Sequence, residues 1–314
     1  MTYAMLDLFA GPGGWDEGAA SLGIKAYGVE IDADACATAR AAGHLRLQAD
    51  VLEVQPEMAS GWTRDIFVSS PPCVAFSKLN KGHSRKHVDE LCDAVRRRDW
   101  EWGQGDLDSL VLLPLIMGPW IEECLPRAIA FEQVPSVLPV WEAYADVLTT
   151  LGYFVWTGKL DAADYGTPQH RKRAVLMAAR GRAVAPPKST HGPDAEHPYT
   201  TAGEALGWTS ITVRDPDRIN DQSGTPFDHD WPFKRPALTI AGRPLMNHPG
   251  ANANRFNGKT KSRNDGFWIT EQEMAILQGF RPDYPFHGTR TSQQKQIGNV
   301  VPPPLAAAIL GGLL

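Results

Sequence analysis

The chain has only four cysteines, Cys36, Cys73, Cys92 and Cys124, and no two of them stand in CxxC spacing. Zinc ribbons and redox dithiols use that spacing, so neither is indicated and no metal site is expected. There is no apolar run long enough to span a membrane. The opening MTYAMLDLFAG puts no basic region ahead of an apolar one, so neither a signal peptide nor a membrane partner is expected. A reducing cytoplasm fits, and there a lone cysteine stays a free thiol. Positive charge is not in excess either. The formal net charge is -5, which argues weakly against a nucleic-acid partner, since such domains are often basic. No internal repeat or low-complexity tract stands out. What is present, 43% hydrophobic and 21% charged residues over 314 positions, is ordinary globular composition with room for a large domain and a small one.

Short apolar runs at 4–9, 26–31, 45–49 and 65–69 read as strands, with helices at 15–22 and 33–42 between them. Later strands are expected at 129–131, 154–160 and 174–178. This rhythm predicts an α/β fold, a mostly parallel sheet with helices on both faces. From 181 to about 265 proline, glycine, asparagine, histidine and tryptophan are frequent and helical periodicity fades. Residues 1–180 are therefore read as the main domain and 181–265 as a small, loop-rich one. Residues 266–314 return to the main domain, with helices at 270–279, capped by Thr270, and at 304–314.

Asp7-Leu8-Phe9-Ala10-Gly11-Pro12-Gly13-Gly14 lies where the first strand turns into a helix. Glycines there let the backbone approach a ligand, and the helix start favours negative charge. Glu30 ends the second strand, where a carboxylate can accept from both hydroxyls of a ribose. Asp50 ends the third, where it could accept from an adenine amino group. Each acid alone reads equally well as a solvated strand end. Together with the turn they mark the C-terminal edge of consecutive strands, where open α/β sheets bind ligands. An adenosine-containing cofactor is favoured.

Ser70-Pro71-Pro72-Cys73 follows the fourth strand, and its two prolines stiffen the chain ahead of the thiol. Cys36 and Cys124 read as small hydrophobes. Cys73 differs, because it stands on the cofactor edge, where an exposed thiol can act as a nucleophile. Glu132 ends the next strand, and a carboxyl held in a pocket there can donate to a ring nitrogen. In Gln169-His170-Arg171-Lys172-Arg173, alternation sends Arg171 and Arg173 to one face and Lys172 to the other. That is either a solvated basic patch or a guanidinium fork aimed at a phosphate or a base carbonyl.

With these residues assembled, the sequence resembles the C5 cytosine-specific DNA methyltransferases. DLFAGPGG matches the cofactor loop, SPPC the nucleophile motif, and Phe131-Glu132-Gln133-Val134 stands where the family has Glu-Asn-Val. YGTPQHRKR matches Gln-x-Arg-x-Arg, Ile269 to Phe280 the motif after the recognition domain, and Gln296 to Pro302 the C-terminal motif. Gln133 replaces the usual Asn, and Gln272 replaces an Arg whose charge is expected to pair internally. The resemblance implies a Rossmann-like S-adenosylmethionine-dependent domain with a small target-recognition domain, and S-adenosylhomocysteine as product. It implies that the Cys73 thiolate adds to carbon 6 of a flipped-out cytosine. Glu132 would serve N3, Arg173 the base carbonyl, and Arg171 the loop bearing the nucleophile. The implied cofactor set is Asp7, Phe9, Ala10, Gly11, Gly13, Gly14, Glu30, Ile31, Asp50, Val51, Pro72, Asn299 and Val301, with Phe9 and Ile31 packing on the adenine.

Double-stranded DNA is the implied partner, acted on by a monomer in the cytoplasm at the nucleoid, with a separately encoded restriction endonuclease as a possible companion. Seven Lys/Arg against three Asp/Glu between Lys78 and Arg98, and seven against none between Lys234 and Arg263, could supply phosphate contacts. The first stretch is expected as the family's mobile loop. Loops 220–226 and 241–255 are expected to read the sequence, with Arg243 and Arg255 reading guanine. The resemblance implies that Gln222 or Ser223 fills the gap left by the flipped cytosine, with Ser77 also at the DNA. A tRNA-methylating branch shares this catalytic core but generally lacks a sizeable recognition domain, so the residues between 180 and 265 favour DNA. A silent DNA-binding paralogue is disfavoured because Cys73, Glu132, Arg171 and Arg173 are all present.

Overall fold

A strand with every residue apolar or buried needs cover on both faces, and the central strands here have it. The structure, a computed structural model, describes residues 3–56, 65–72, 84–104, 109–207, 235–242 and 269–314. The first elements are β1 (Ala4–Leu8), α1 (Gly14–Ser21), β2 (Lys25–Glu30), α2 (Ala33–Ala41), β3 (Leu45–Gln48) and β4 (Ile66–Ser69). Next come α3 (Ser84–Arg97), α4 (Ser109–Leu112), α5 (Met117–Cys124), β5 (Ala128–Gln133), α6 (Leu138–Thr150), β6 (Tyr153–Asp161) and β7 (Lys172–Arg180). The described chain ends with α7 (Ala202–Leu206), α8 (Glu271–Leu277), α9 (Arg290–Asn299) and α10 (Pro303–Leu313).

The strands form one seven-stranded sheet in the order β3-β2-β1-β4-β5-β7-β6. Pairs among the first five are parallel, as expected. Strand β7 runs antiparallel to both neighbours. Alternation sends Leu6, Leu8, Phe67, Ile129 and Phe131 to one face, where they pack with Trp120, Trp141 and Tyr144 from α5 and α6. Met5, Ile66, Val68, Ala128 and Ala130 face the other way, against Trp15 of α1 and Leu305, Ala306 and Ile309 of α10. A third cluster lies beyond the sheet, built on Ile240, Ile269, Met274, Leu277, Phe280, Tyr284 and Ile297. Helix starts carry their expected signals. Asp32 caps α2, and Thr270 with Glu273 forms a capping box on α8.

One expectation changes. The stretch 78–98, read as a mobile basic loop, is helical over Ser84–Arg97. Val88, Leu91, Cys92 and Val95 recur at helical spacing and pack on the first core. The basic residues at its end are engaged by acids: Arg96 Nε lies 2.8 Å from Asp146 Oδ2, and Arg98 Nε 3.6 Å from Glu122 Oε1. In the loop-rich region, residues 235–242 join the main body. The Ala237 amide donates to Pro168 and the His170 amide to Ala237, each at 2.8 Å. The Ala202 amide donates to the Arg235 carbonyl at 2.9 Å, so the chain leaves and re-enters the described structure at one place.

Candidate active site

Strands β1 and β4 are neighbours although β2 and β3 come between them in sequence. Connections therefore run outward in opposite directions from this pair, which opens a crevice at their C-terminal ends. The glycine turn leaves β1 at the crevice, and Ser70-Pro71-Pro72 leaves β4 beside it. The two are tied directly, since Trp15 Nε1 donates to Ser70 Oγ at 3.0 Å.

Glu30 holds the turn from the end of β2. Its Oε2 accepts from the Gly11 amide and its Oε1 from the Asp32 amide, each at 2.8 Å. Asp50 Oδ1 accepts from the Leu52 amide at 3.0 Å. Ile31 and Leu52, just past the ends of β2 and β3, are left 63% and 57% exposed. Two bare aliphatic side chains beside two strand-end carboxylates suit a ligand with a flat ring and hydroxyls. Phe9 is half-buried with φ of 64°, Ala10 and Val51 are buried, and Pro72 is half-buried. Asn299 is exposed, while Val301 is buried with its carbonyl so close to Gly14 that a Cβ there would strike it.

Asp7 lies beneath the turn, wholly buried, and among the described residues neither carboxylate oxygen has a hydrogen-bond partner. It stands in register with Gly28, and Gly28 with Arg46. Any Cβ on Gly28 would land on the Arg46 guanidinium, so the glycine gives Arg46 its path across the sheet. Arg46 Nη2 ends 2.8 Å from Asp16 Oδ2 on α1, with both side chains fully buried. Burial pushes the Asp7 carboxyl well above its ordinary value, with the Asp16 charge adding and Arg46 opposing. The cluster thus sets one buried guanidinium against the Asp16 carboxyl, with the Asp7 carboxyl buried nearby and without a hydrogen-bond partner among the described residues.

The reacting edge is built by the reversed strand. Because β7 runs antiparallel to β5, its first residues meet the last residues of β5: Gln133 pairs with Ala174 and Glu132 with Val175. Arg173 Nε lies 2.9 Å from Glu132 Oε1, and both side chains are nearly buried. Gln133, also buried, donates from Nε2 to the Pro71 carbonyl and accepts from the Val134 amide at 2.5 Å. One longer side chain thus ties the end of β5 to the loop ahead of Cys73. Lys172 is exposed while Arg171 and Arg173 are buried, as alternation requires.

Arg171 gathers three carbonyls from distant segments, Ile240 at 2.9 Å, Gly298 at 2.8 Å and Val300 at 3.2 Å. These contacts fix 235–242 and the turn after α9. Gln169 works beside it, accepting from the Ile240 amide at 2.7 Å and donating to Gln278 Oε1 at 2.5 Å. The Gln272 side chain, which lacks the charge of the family's Arg, donates to the Pro282 carbonyl.

Cys73, Ser77, Gln222, Ser223, Arg243 and Arg255 lie outside the described residues, as do 220–226 and most of 241–255. Burial raises the thiol pKa of Cys36 and takes that of Cys92 up to about 11, which disfavours thiolate at either. Sequence reasoning missed Arg46 and Tyr284 as partners of the glycine turn. The one available signal was Gly28, a glycine inside a strand that marks a close approach.

The family model described as C-5 cytosine-specific DNA methylase matches residues 3–96, 119–210 and 219–314. The type II methyltransferase M.AplI of Arthrospira platensis is 28% identical over 333 residues, covering 97% of this chain and 84% of that one. The type II methyltransferase M1.HphI of Haemophilus parahaemolyticus is 25% identical, over 100% of this chain and 87% of its own. Among solved structures, a putative DNA modification methyltransferase encoded within a prophage, from E. coli, shares the fold with a TM-score of 0.62. It is 21% identical and is covered over 98%, against 99% of this chain. Spodoptera frugiperda DNMT2 gives a TM-score of 0.65 at 15% identity, over 99% of each chain. The chain belongs to the C-5 cytosine-specific DNA methylases and is a DNA cytosine-5 methyltransferase.

Proposed function

We propose that the chain methylates cytosine in duplex DNA through a covalent bond between Cys73 and carbon 6 of the flipped base. The observation that carries this reading is the junction of β5 and β7. There Glu132 is paired with Arg173, and Gln133 grips the Pro71 carbonyl just ahead of Cys73. Addition of the Cys73 thiolate breaks the ring's aromaticity and makes carbon 5 nucleophilic. Glu132 holds a proton at N3 as charge builds there, and Arg173 fixes that carboxyl while facing the base carbonyl. Arg171 braces the surrounding segments. Once carbon 5 carries the methyl group, a base such as water takes the carbon 5 proton, and the electron pair left behind expels the Cys73 thiolate. Unstacking the base costs a few kcal/mol.

When bound, S-adenosylmethionine supplies an electrophilic methyl group. Glu30 and Asp50 would hold its ribose and adenine, with Phe9, Ile31 and Val51 against the ring. The turn from Ala10 to Gly14 would hold the remainder with Pro72, Asn299 and Val301, Asp7 supporting it from below. Residues 1–180 form the catalytic domain, 181–265 the recognition domain, and 266–314 the returning segment. Arg243 and Arg255 are assigned to DNA reading, Gln222 or Ser223 to the gap left by the flipped cytosine, and Ser77 to the DNA near the nucleophile. The names of the relatives favour a type II restriction-modification setting with a separately encoded endonuclease.

The test is a duplex carrying 5-fluorocytosine in a methylated sequence, incubated with S-adenosylmethionine. Fluorine cannot leave as a proton does, so a covalent protein–DNA adduct is expected with the wild type and none with Cys73→Ala. Adduct with the Ala variant would remove Cys73 from the mechanism. Methyl transfer to tRNA but not to duplex DNA would overturn the substrate.

A further inference from the structure

The glycine turn that the proposed cofactor site rests on does not hold its own shape. Gly13 has φ of 114°, and the space where a Cβ would stand is filled from two sides. Tyr284 Oη lies 2.7 Å from that point and His44 Cδ2 2.8 Å. Tyr284 Oη donates to the Pro12 carbonyl at 2.5 Å. Pro12 is buried, and no water can replace that donor without opening the site.

Tyr284 is itself fixed on every side. It packs in the third core, with ring centroids 4.5 Å from Phe280 and 5.1 Å from Phe286. The Arg281 guanidinium lies 5.3 Å from its ring centre. Arg281 also approaches Glu17 of α1, whose other carboxylate oxygen is 3.0 Å from His44 Nε2. The clamp therefore comes from the segment between α8 and α9, far along the chain from the turn it holds. Burial raises the phenol's pKa, so Tyr284 remains a donor wherever the protein is folded.

We propose that Tyr284 is a positioning residue for the cofactor, acting through its hydroxyl on the Pro12 carbonyl to set the conformation of the glycine turn. This rests on the assignment of that turn to S-adenosylmethionine. The hydroxyl fixes the Pro12–Gly13 peptide, and with it the direction of the amides that follow at the start of α1. Without it the turn samples other conformations, and each binding event must reorder it.

Calorimetric titration of the purified wild type, Tyr284→Phe and Glu30→Ala with S-adenosylhomocysteine tests this. Phe keeps the ring packing and removes only the donor. About three- to tenfold weaker binding is expected for Tyr284→Phe. The same factor is expected in KM for S-adenosylmethionine, with kcat at saturating cofactor and KM for DNA unchanged. A role confined to packing would leave the Phe variant's affinity where it was, and that result overturns the proposal. Loss of kcat at saturating cofactor also overturns it, since the hydroxyl would then act in the chemical step. If the wild type and Glu30→Ala bind equally well or not at all, the cofactor site itself is misplaced and the proposal fails with it.

Discussion

Arg173 Nε stands 2.9 Å from Glu132 Oε1 with both side chains nearly buried, although the two residues enter the sheet on strands of opposite direction. A lysine could supply the charge, but not the planar fork that the proposed role asks to serve a carboxylate and a base carbonyl together. Glu132→Gln keeps the shape and removes the proton donor. Turnover is expected to fall about 10²–10⁴-fold, the usual range for a general acid. The check is single-turnover methyl incorporation, with S-adenosylhomocysteine affinity unchanged. Turnover within twofold of the wild type would make Glu132 a structural partner of Arg173 and no more.

Gln133 is engaged at both ends of its amide, by Pro71 and by Val134. Gln133→Leu leaves the buried Pro71 carbonyl and the half-buried Val134 amide without that partner and is expected to cost about 1–3 kcal/mol of stability. It should also slow adduct formation, because the loop ahead of Cys73 loses its tie to β5. Gln133→Asn restores the family's residue and should be close to neutral. Denaturant unfolding and adduct kinetics measure both, and a Leu variant that matches the wild type in each would remove the tie.

Glu30→Ala and Asp50→Ala are expected to weaken S-adenosylhomocysteine binding without changing which DNA sequence is methylated. Glu30 should cost more, about 10- to 100-fold, since its carboxylate also holds the Gly11 amide of the turn. Calorimetry gives the affinities, and methylation mapping the sequence. Equal affinity for all three proteins would overturn the assignment of the strand ends.

Asp7 has a pH signature. Folding raises its carboxyl above the ordinary value of 3.8 through burial first and the Asp16 charge second, so the native state holds the proton more tightly than the unfolded chain. Its contribution is most favourable at low pH and is lost as pH rises from about 3.8 toward the raised native value. Asp7→Asn removes that dependence. The variant should melt higher than the wild type at neutral pH and show a flatter curve of Tm against pH. A variant less stable than wild type at pH 7 would mean that the cluster needs a charge at Asp7.

The edge of the sheet was legible because its chemistry is local. A glycine turn after an apolar strand, acids at two strand ends and two prolines before a cysteine each announce themselves within a few residues. Helix α3 was obscured because its Lys and Arg outnumber its acids, while Val88, Leu91, Cys92 and Val95 carry the fold. The direction of β7 could not be read, since an apolar strand has the same local pattern whichever way it runs. Arg46 and Tyr284 are partners of the turn only in three dimensions, and nothing near either in sequence points to it. Gln272 makes a contact of its own, its amide donating to the Pro282 carbonyl.

The Ala202 amide meets the Arg235 carbonyl at 2.9 Å, so the chain before residue 208 and the chain after residue 234 are tied at one point. A stretch that begins and ends at one tie can change in length without moving the tie. Loop-closure entropy grows only with the logarithm of length, about 0.6 kcal/mol for each doubling, so longer or shorter inserts cost the body of the enzyme little. The neighbouring segment 235–242 is held at Ile240 by Gln169 and Arg171, and Arg171 also reaches the Gly298 carbonyl of α9. Under the proposed division of the chain, a change of length or sequence there would leave the β5–β7 junction and the glycine turn where they are.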